Sequence, residues 1–162
     1  MSVVEVFKTA YIEVGIRDAT ILHTALLELE KENPYPKIES DEDKRKYQHN
    51  DKMVNIDDLP ELTRDIGVIS KALESWRLHI AREGTYPNEV KKEIRLTVRD
   101  TIIINDALKH LVKKNPYKPI EPNLSDPNPT VYQHHIPELY GKFKIVKEAM
   151  MSDILHGVHY EP

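Results

Sequence analysis

Two arginine–aspartate pairs, Arg17-Asp18 and Arg99-Asp100, stand 82 residues apart in this chain. A guanidinium beside a carboxylate supports two kinds of chemistry. The arginine can hold a phosphate or carboxylate in a fork of N–H donors. Alternatively, the two charges can pair across an interface and fix its register. Asp18 falls in an apolar stripe with Val14, Ile21 and Ala25, and Asp100 in a matching stripe with Leu96, Ile103 and Ala107. A carboxylate in such a stripe must find donors, because a buried unpaired charge is very costly. Neighbours in sequence diverge by about 100° around a helix of 3.6 residues per turn, so each arginine is poorly placed for its own aspartate. The arrangement therefore predicts crossed pairs, Arg17 with Asp100 and Arg99 with Asp18.

A second repeated set combines aromatic, amide and imidazole groups. Tyr47-Gln48-His49 recurs as Tyr132-Gln133-His134. Such a trio could hold a base, a peptide or a phosphate, or could anchor a loop on the body of the protein. The candidate binding residues are thus Arg17, Asp18, Arg99, Asp100, Tyr47, His49, Tyr132 and His134. No catalytic residue is assigned, and no cofactor is expected. Eight histidines invite a metal site, but no His-x-x-x-His is present and His156-Gly157-Val158-His159 sits at the C-terminal end, so no metal is expected.

Arg17, Asp18 and His23 fit the spacing R-x5-H with a polar second residue. This seven-residue stretch resembles the ribonuclease motif of the HEPN family, and the resemblance implies a helical bundle that cleaves RNA. The second repeat departs from it, with Asn105 where His23 stands. Size and helical content also resemble the DinB-like metal-dependent proteins, whose His-x-x-x-His is absent here.

What must position these residues is a repeat. Aligning 15–39 with 97–121 gives 12 identities in 25 positions, including Asn33-Pro34-Tyr35 against Asn115-Pro116-Tyr117. The pattern reads as a tandem duplication, with repeat 1 at about 3–84 and repeat 2 at about 86–157 of one domain spanning 1–162. Apolar residues recur three and four apart in four stretches, which predicts helices over about 3–32, 58–84, 87–114 and 136–156. Asn-Pro stops the first and third. In the second, Leu62, Ile66, Ile69, Leu73, Trp76 and Ile80 form the inner seam, and in the fourth Leu139, Phe143, Val146, Met150 and Ile154 do so. The expected fold is all-α, a four-helix bundle made of two helical hairpins about a pseudo-twofold axis, with two long linkers. A short turn at Gly84–Tyr86 makes the second and third helices antiparallel neighbours.

Composition narrows the function. A net charge of −4 argues against binding to a nucleic acid duplex. The absence of cysteine removes disulfides and thiolate chemistry and fits a cytoplasmic setting. Charged residues through the N-terminal segment argue against a signal peptide or membrane span. The reading is a non-enzymatic binding protein that presents its two linkers to a protein partner, or to a small anionic ligand of two-fold, nucleotide-like symmetry. The alternatives are an enzyme acting on a nucleotide or RNA through Arg17 and His23 or the linker histidines, and a helical assembly subunit.

Overall fold

The computed structural model describes residues 9–81, 91–119 and 131–152 of the 162-residue chain, with only the backbone described for 77–81. The chain runs β1 (Thr9–Gly15), α1 (Ile16–Glu30), α2 (Asp41–His49), α3 (Asp58–Ala81), β2 (Lys91–Thr97), α4 (Val98–Lys113) and α5 (His135–Met151). It is an α+β arrangement of five helices and one two-stranded antiparallel sheet, which corrects the expectation of an all-α four-helix bundle.

The correction lies in the two segments just before the Arg-Asp pairs. Ala10 and Val14 are buried while Glu13 is exposed, and Ile94 and Leu96 are buried while Glu93 and Arg95 are exposed. That is the two-residue alternation of a half-covered strand. Val14 fits both a three–four and a two-residue spacing, which let the first helix extend too far back. Gly15 marks the true boundary, since a glycine inside a continuous helix costs about 1 kcal/mol relative to alanine. At the equivalent position Thr97 starts α4 with a reciprocal cap. The Asp100 N–H donates to Thr97 Oγ1 at 3.1 Å, and the Thr97 N–H donates to Asp100 Oδ2 at 3.0 Å.

The strands pair antiparallel from Thr9 opposite Thr97 to Gly15 opposite Lys91, with Ile12 opposite Ile94 at the centre. The sequence repeat carries residue 12 onto residue 94, so the central pair joins matching positions of the two repeats. Around it, the pair Tyr11–Arg95 is the two-fold counterpart of the pair Glu93–Glu13.

The helices follow the same symmetry. α1 packs on α4 in the middle, α3 lies against α1, and α5 lies against α4. Each outer helix also reaches the other repeat's strand, α3 touching β2 and α5 touching β1. Ile21, Leu22 and Leu26 of α1, Leu59 and Ile66 of α3, Ile103, Ile104 and Leu108 of α4, and Ile136 and Phe143 of α5 share one core. The inner seam of α3 ends sooner than its spacing predicts, because Trp76 is 58% exposed. The expected Gly84–Tyr86 turn and the end of the fourth helix beyond 152 lie outside the described residues.

The Asn-Pro-Tyr motifs tie each inner helix to the start of its outer helix. Asn33 takes a left-handed φ of 20° after α1. Its Nδ2 donates to the Ile56 carbonyl at 2.9 Å, just ahead of α3. Asn115 Nδ2 donates to the Gln133 carbonyl at 2.9 Å, just ahead of α5. Among the described residues no helix is long and apolar enough to cross a membrane.

Candidate functional site

Arg99 leaves the β2–α4 corner and grips the opposite repeat's linker. Arg99 Nη2 donates to the carbonyls of Tyr47 at 3.0 Å and Asn50 at 3.2 Å, and its Nε donates to the Met53 carbonyl. The guanidinium lies 3.8 Å from the centre of the Tyr47 ring, a cation–π stack. Its Nε is 3.8 Å from Asp58 Oδ2. Asp58 in turn accepts the Tyr47 hydroxyl at 2.7 and 2.9 Å and the Asn55 N–H at 2.8 Å. Burial and this bond to a carboxylate push the Tyr47 hydroxyl up to about 12, against a smaller opposing pull from Arg99.

Arg99 is thus committed to Asp58 and three carbonyls instead of the expected bridge to Asp18, and Asp100 is committed to the α4 cap. Burial raises the Asp100 pKa above the usual carboxylate range. The Thr97 bonds oppose the rise, and the nearby charges of Asp58 and Asp65 add to it. Tyr47, Asp58, Glu61, Leu62, Asp65, Thr97, Arg99 and Asp100 enclose a polar cleft of about 340 Å³ where the repeats meet.

The second junction is built on the same plan with different groups. The repeat carries Asp58, Glu61 and Asp65 onto His135, Glu138 and Lys142, and Arg99 and Asp100 onto Arg17 and Asp18. His135 does what Asp58 does for the residue three positions earlier: its Nδ1 accepts the Tyr132 N–H at 2.9 Å. Burial lowers the His135 pKa, the charges of Arg17 and His134 lower it further, and Glu138 opposes them. Asp18 is raised by burial, against the attraction of Lys142, Arg17 and Lys91. Tyr132, His134 and His135 form an aromatic group, with His134 and His135 ring centres 4.0 Å apart.

The candidate residues therefore divide between two junctions: Tyr47, Arg99 and Asp100 at one, and Arg17, Asp18, Tyr132 and His134 near the other. His49 is exposed at the end of α2. His23 lies against α3, where a Cβ added to Gly67 would stand 2.9 Å from its Nε2. His23 thus faces α3, while the charge of Arg17 is felt at His135, the first residue of α5. Among the described residues no group of three or more potential metal ligands converges.

In the sequence Asp58 and Glu61 read only as signals for the start of a helix and Asp65 went unnoticed, although their spacing of three and four puts all three on one helical face. It also overlooked Thr97-x-x-Asp100 as a capping signature. Comparison with protein-family models, with curated proteins and with solved structures finds no match.

Proposed function

We propose that this protein is a non-enzymatic interaction protein, an intramolecular pseudo-dimer that offers a two-fold surface to a protein partner. The observation that supports this most directly is the ribbon centred on Ile12 and Ile94. Its outer face is where matching positions of both repeats lie side by side about one axis. Tyr11 is half-buried there, while Glu13, Glu93 and Arg95 are exposed. Glu13 is directly opposite Glu93, with Lys91 and Arg95 diagonal to it. Like charges directly opposite on a sheet face are unfavourable, and a partner that brings cations to this pair relieves the cost. The partner-facing role moves from the linkers to the ribbon, because Tyr47 and the backbone of 47–53 are engaged by Arg99.

A two-stranded ribbon also fits the DNA major groove, but the central Glu13–Glu93 pair would face phosphates and base edges with like charge. A protein surface of two-fold symmetry suits it better. The cysteine-free composition supports a cytoplasmic setting for the encounter.

The test is a photo-crosslinking side chain at Glu13 or at Arg95, in the protein expressed in its native cells. One protein adduct common to both positions, and absent with the same side chain at Lys109 on α4, is the expected outcome. A gel shift with duplex DNA, or a native mass a few hundred daltons above the chain from a retained small molecule, would overturn the reading.

A further inference from the structure

The outer side of α3 carries a second seam, separate from the one that faces the core, and its Glu61 and Asp65 stand at the exposed rim of the cleft beside Arg99. Glu61, Arg64, Asp65, Val68, Lys71, Ser75 and Trp76 are all exposed and recur at three- and four-residue spacing, with Ala72 half-buried among them. Val68 is 61% exposed and Trp76 58% exposed. Trp76 is the chain's only tryptophan. Tryptophan exposed on a helix face is characteristic of the anchors of protein interfaces.

The seam is complementary to itself. Laying α3 antiparallel on a second α3 with Val68 at the crossing places Asp65 opposite Lys71, Glu61 opposite Ser75, Arg64 opposite Ala72 and Trp76 opposite Pro60. No like charges meet, and the Asp65–Lys71 contact occurs twice. An antiparallel crossing of α3 on α5 of another copy fares worse. Centred on Val68 and Ile145, it sets Asp65 against Glu148 and Lys71 against Lys142.

We propose that α3 is the contact face of a two-fold homodimer, with Val68 at its axis, Trp76 as its anchor and the two Asp65–Lys71 pairs fixing its register. A self-complementary patch used by both subunits is the commonest way for a chain to associate. The inference does not rest on the ribbon reading, since α3 and the ribbon are different surfaces.

Sedimentation velocity of the full chain across a concentration series tests it. The expected result is a species of twice the 18.8 kDa chain mass that dissociates on dilution. V68R should give a monomer with an unchanged far-ultraviolet circular dichroism spectrum. D65K, which sets lysine against Lys71 twice, should weaken the dimer by about tenfold or more, and D65K/K71D should restore it. Emission from Trp76 should shift to the blue as the dimer forms. A wild-type chain that stays monomeric at about 100 μM, well above the 1 μM scale of a modest interface, would overturn the proposal. A dimer dissolved by I145R and not by V68R would also overturn it, as would failure of the double charge swap to rescue.

Discussion

Ile12 pairs directly with Ile94, its own counterpart in the other repeat. The two side chains have the same chemistry and equivalent backbone positions, yet Ile94 is 3% exposed while Ile12 is only half-buried. Pseudo-symmetry holds for the backbone and fails for the packing around it. Ile94→Ala should therefore cost about 2–4 kcal/mol, as buried isoleucine truncations do, and Ile12→Ala clearly less. Urea unfolding of the two variants checks this, and equal losses would show that the ribbon centre is packed alike on both sides.

Arg99 makes its contacts through geometry as much as through charge. Its flat guanidinium stacks on Tyr47 while its N–H groups reach three carbonyls of one linker. Lysine keeps the charge but has neither the plane nor the fork, so Arg99→Lys should be nearly as damaging as Arg99→Met. Losing hydrogen bonds to a charged donor predicts a loss of about 1.5–3 kcal/mol. Amide hydrogen exchange should accelerate locally at 47–53. Uniform acceleration across α4 would instead mean that the arginine supports the helix and not the linker.

The half-buried histidine and the half-buried aspartates of the junctions should respond oppositely to acid. His135 has its pKa lowered from 6.5 in the folded protein, so the unfolded chain binds the proton more tightly. Its contribution to stability is complete above about pH 6.5 and falls as the pH drops from there through the lower folded value. Protonation also removes the acceptor for the Tyr132 N–H and sets a cation beside Arg17. Asp18 and Asp100 have raised pKa values and carry the opposite sign: they favour the fold below the unfolded carboxylate value and lose that contribution as the pH rises through the folded value. The melting temperature should thus fall between about pH 7 and pH 5, the range in which histidine changes charge. His135→Asp, which copies Asp58, should flatten that fall.

Two helical glycines, Gly67 in α3 and Gly141 in α5, should give opposite results. A Cβ at Gly67 meets His23 Nε2 at 2.9 Å, whereas one at Gly141 meets nothing within 4 Å. Gly141→Ala should gain up to about 1 kcal/mol from helix propensity. Gly67→Ala should lose that gain and more, and the loss should shrink when His23→Ala is added. Denaturant midpoints of the three variants decide it.

Much of the helical architecture was legible in the sequence. The α3 seam as far as Leu73, the α5 seam from Leu139 to Met150 and the ends of α1 and α4 at Asn-Pro are local patterns, and these survive into the fold. The strands were not. Seven residues with Val14 at a position shared by both spacings read as the start of a helix, because their pairing partner lies 82 residues away and a lone two-stranded ribbon has little stability of its own. The same limit hid the junctions. Arg99 does reach across to the other repeat, but the expected two-fold crossing suggested Asp18 as its partner. The structure supplies instead backbone carbonyls, a tyrosine ring and Asp58, a residue from the far end of the linker. Asp100 had a local use, the helix cap, that its Thr97 could have announced.

The ribbon also dictates an order of events during synthesis. β1 leaves the ribosome before β2, which follows about 80 residues later, several seconds at ordinary elongation rates. Throughout that interval Ala10 and Val14 have no strand to lie beside, and α5, which covers β1 in the finished molecule, has not been made. The first half must wait for the second. A chain truncated before residue 91 leaves an open strand edge and an uncovered apolar face, and such a fragment is a target for chaperones and a seed for aggregation.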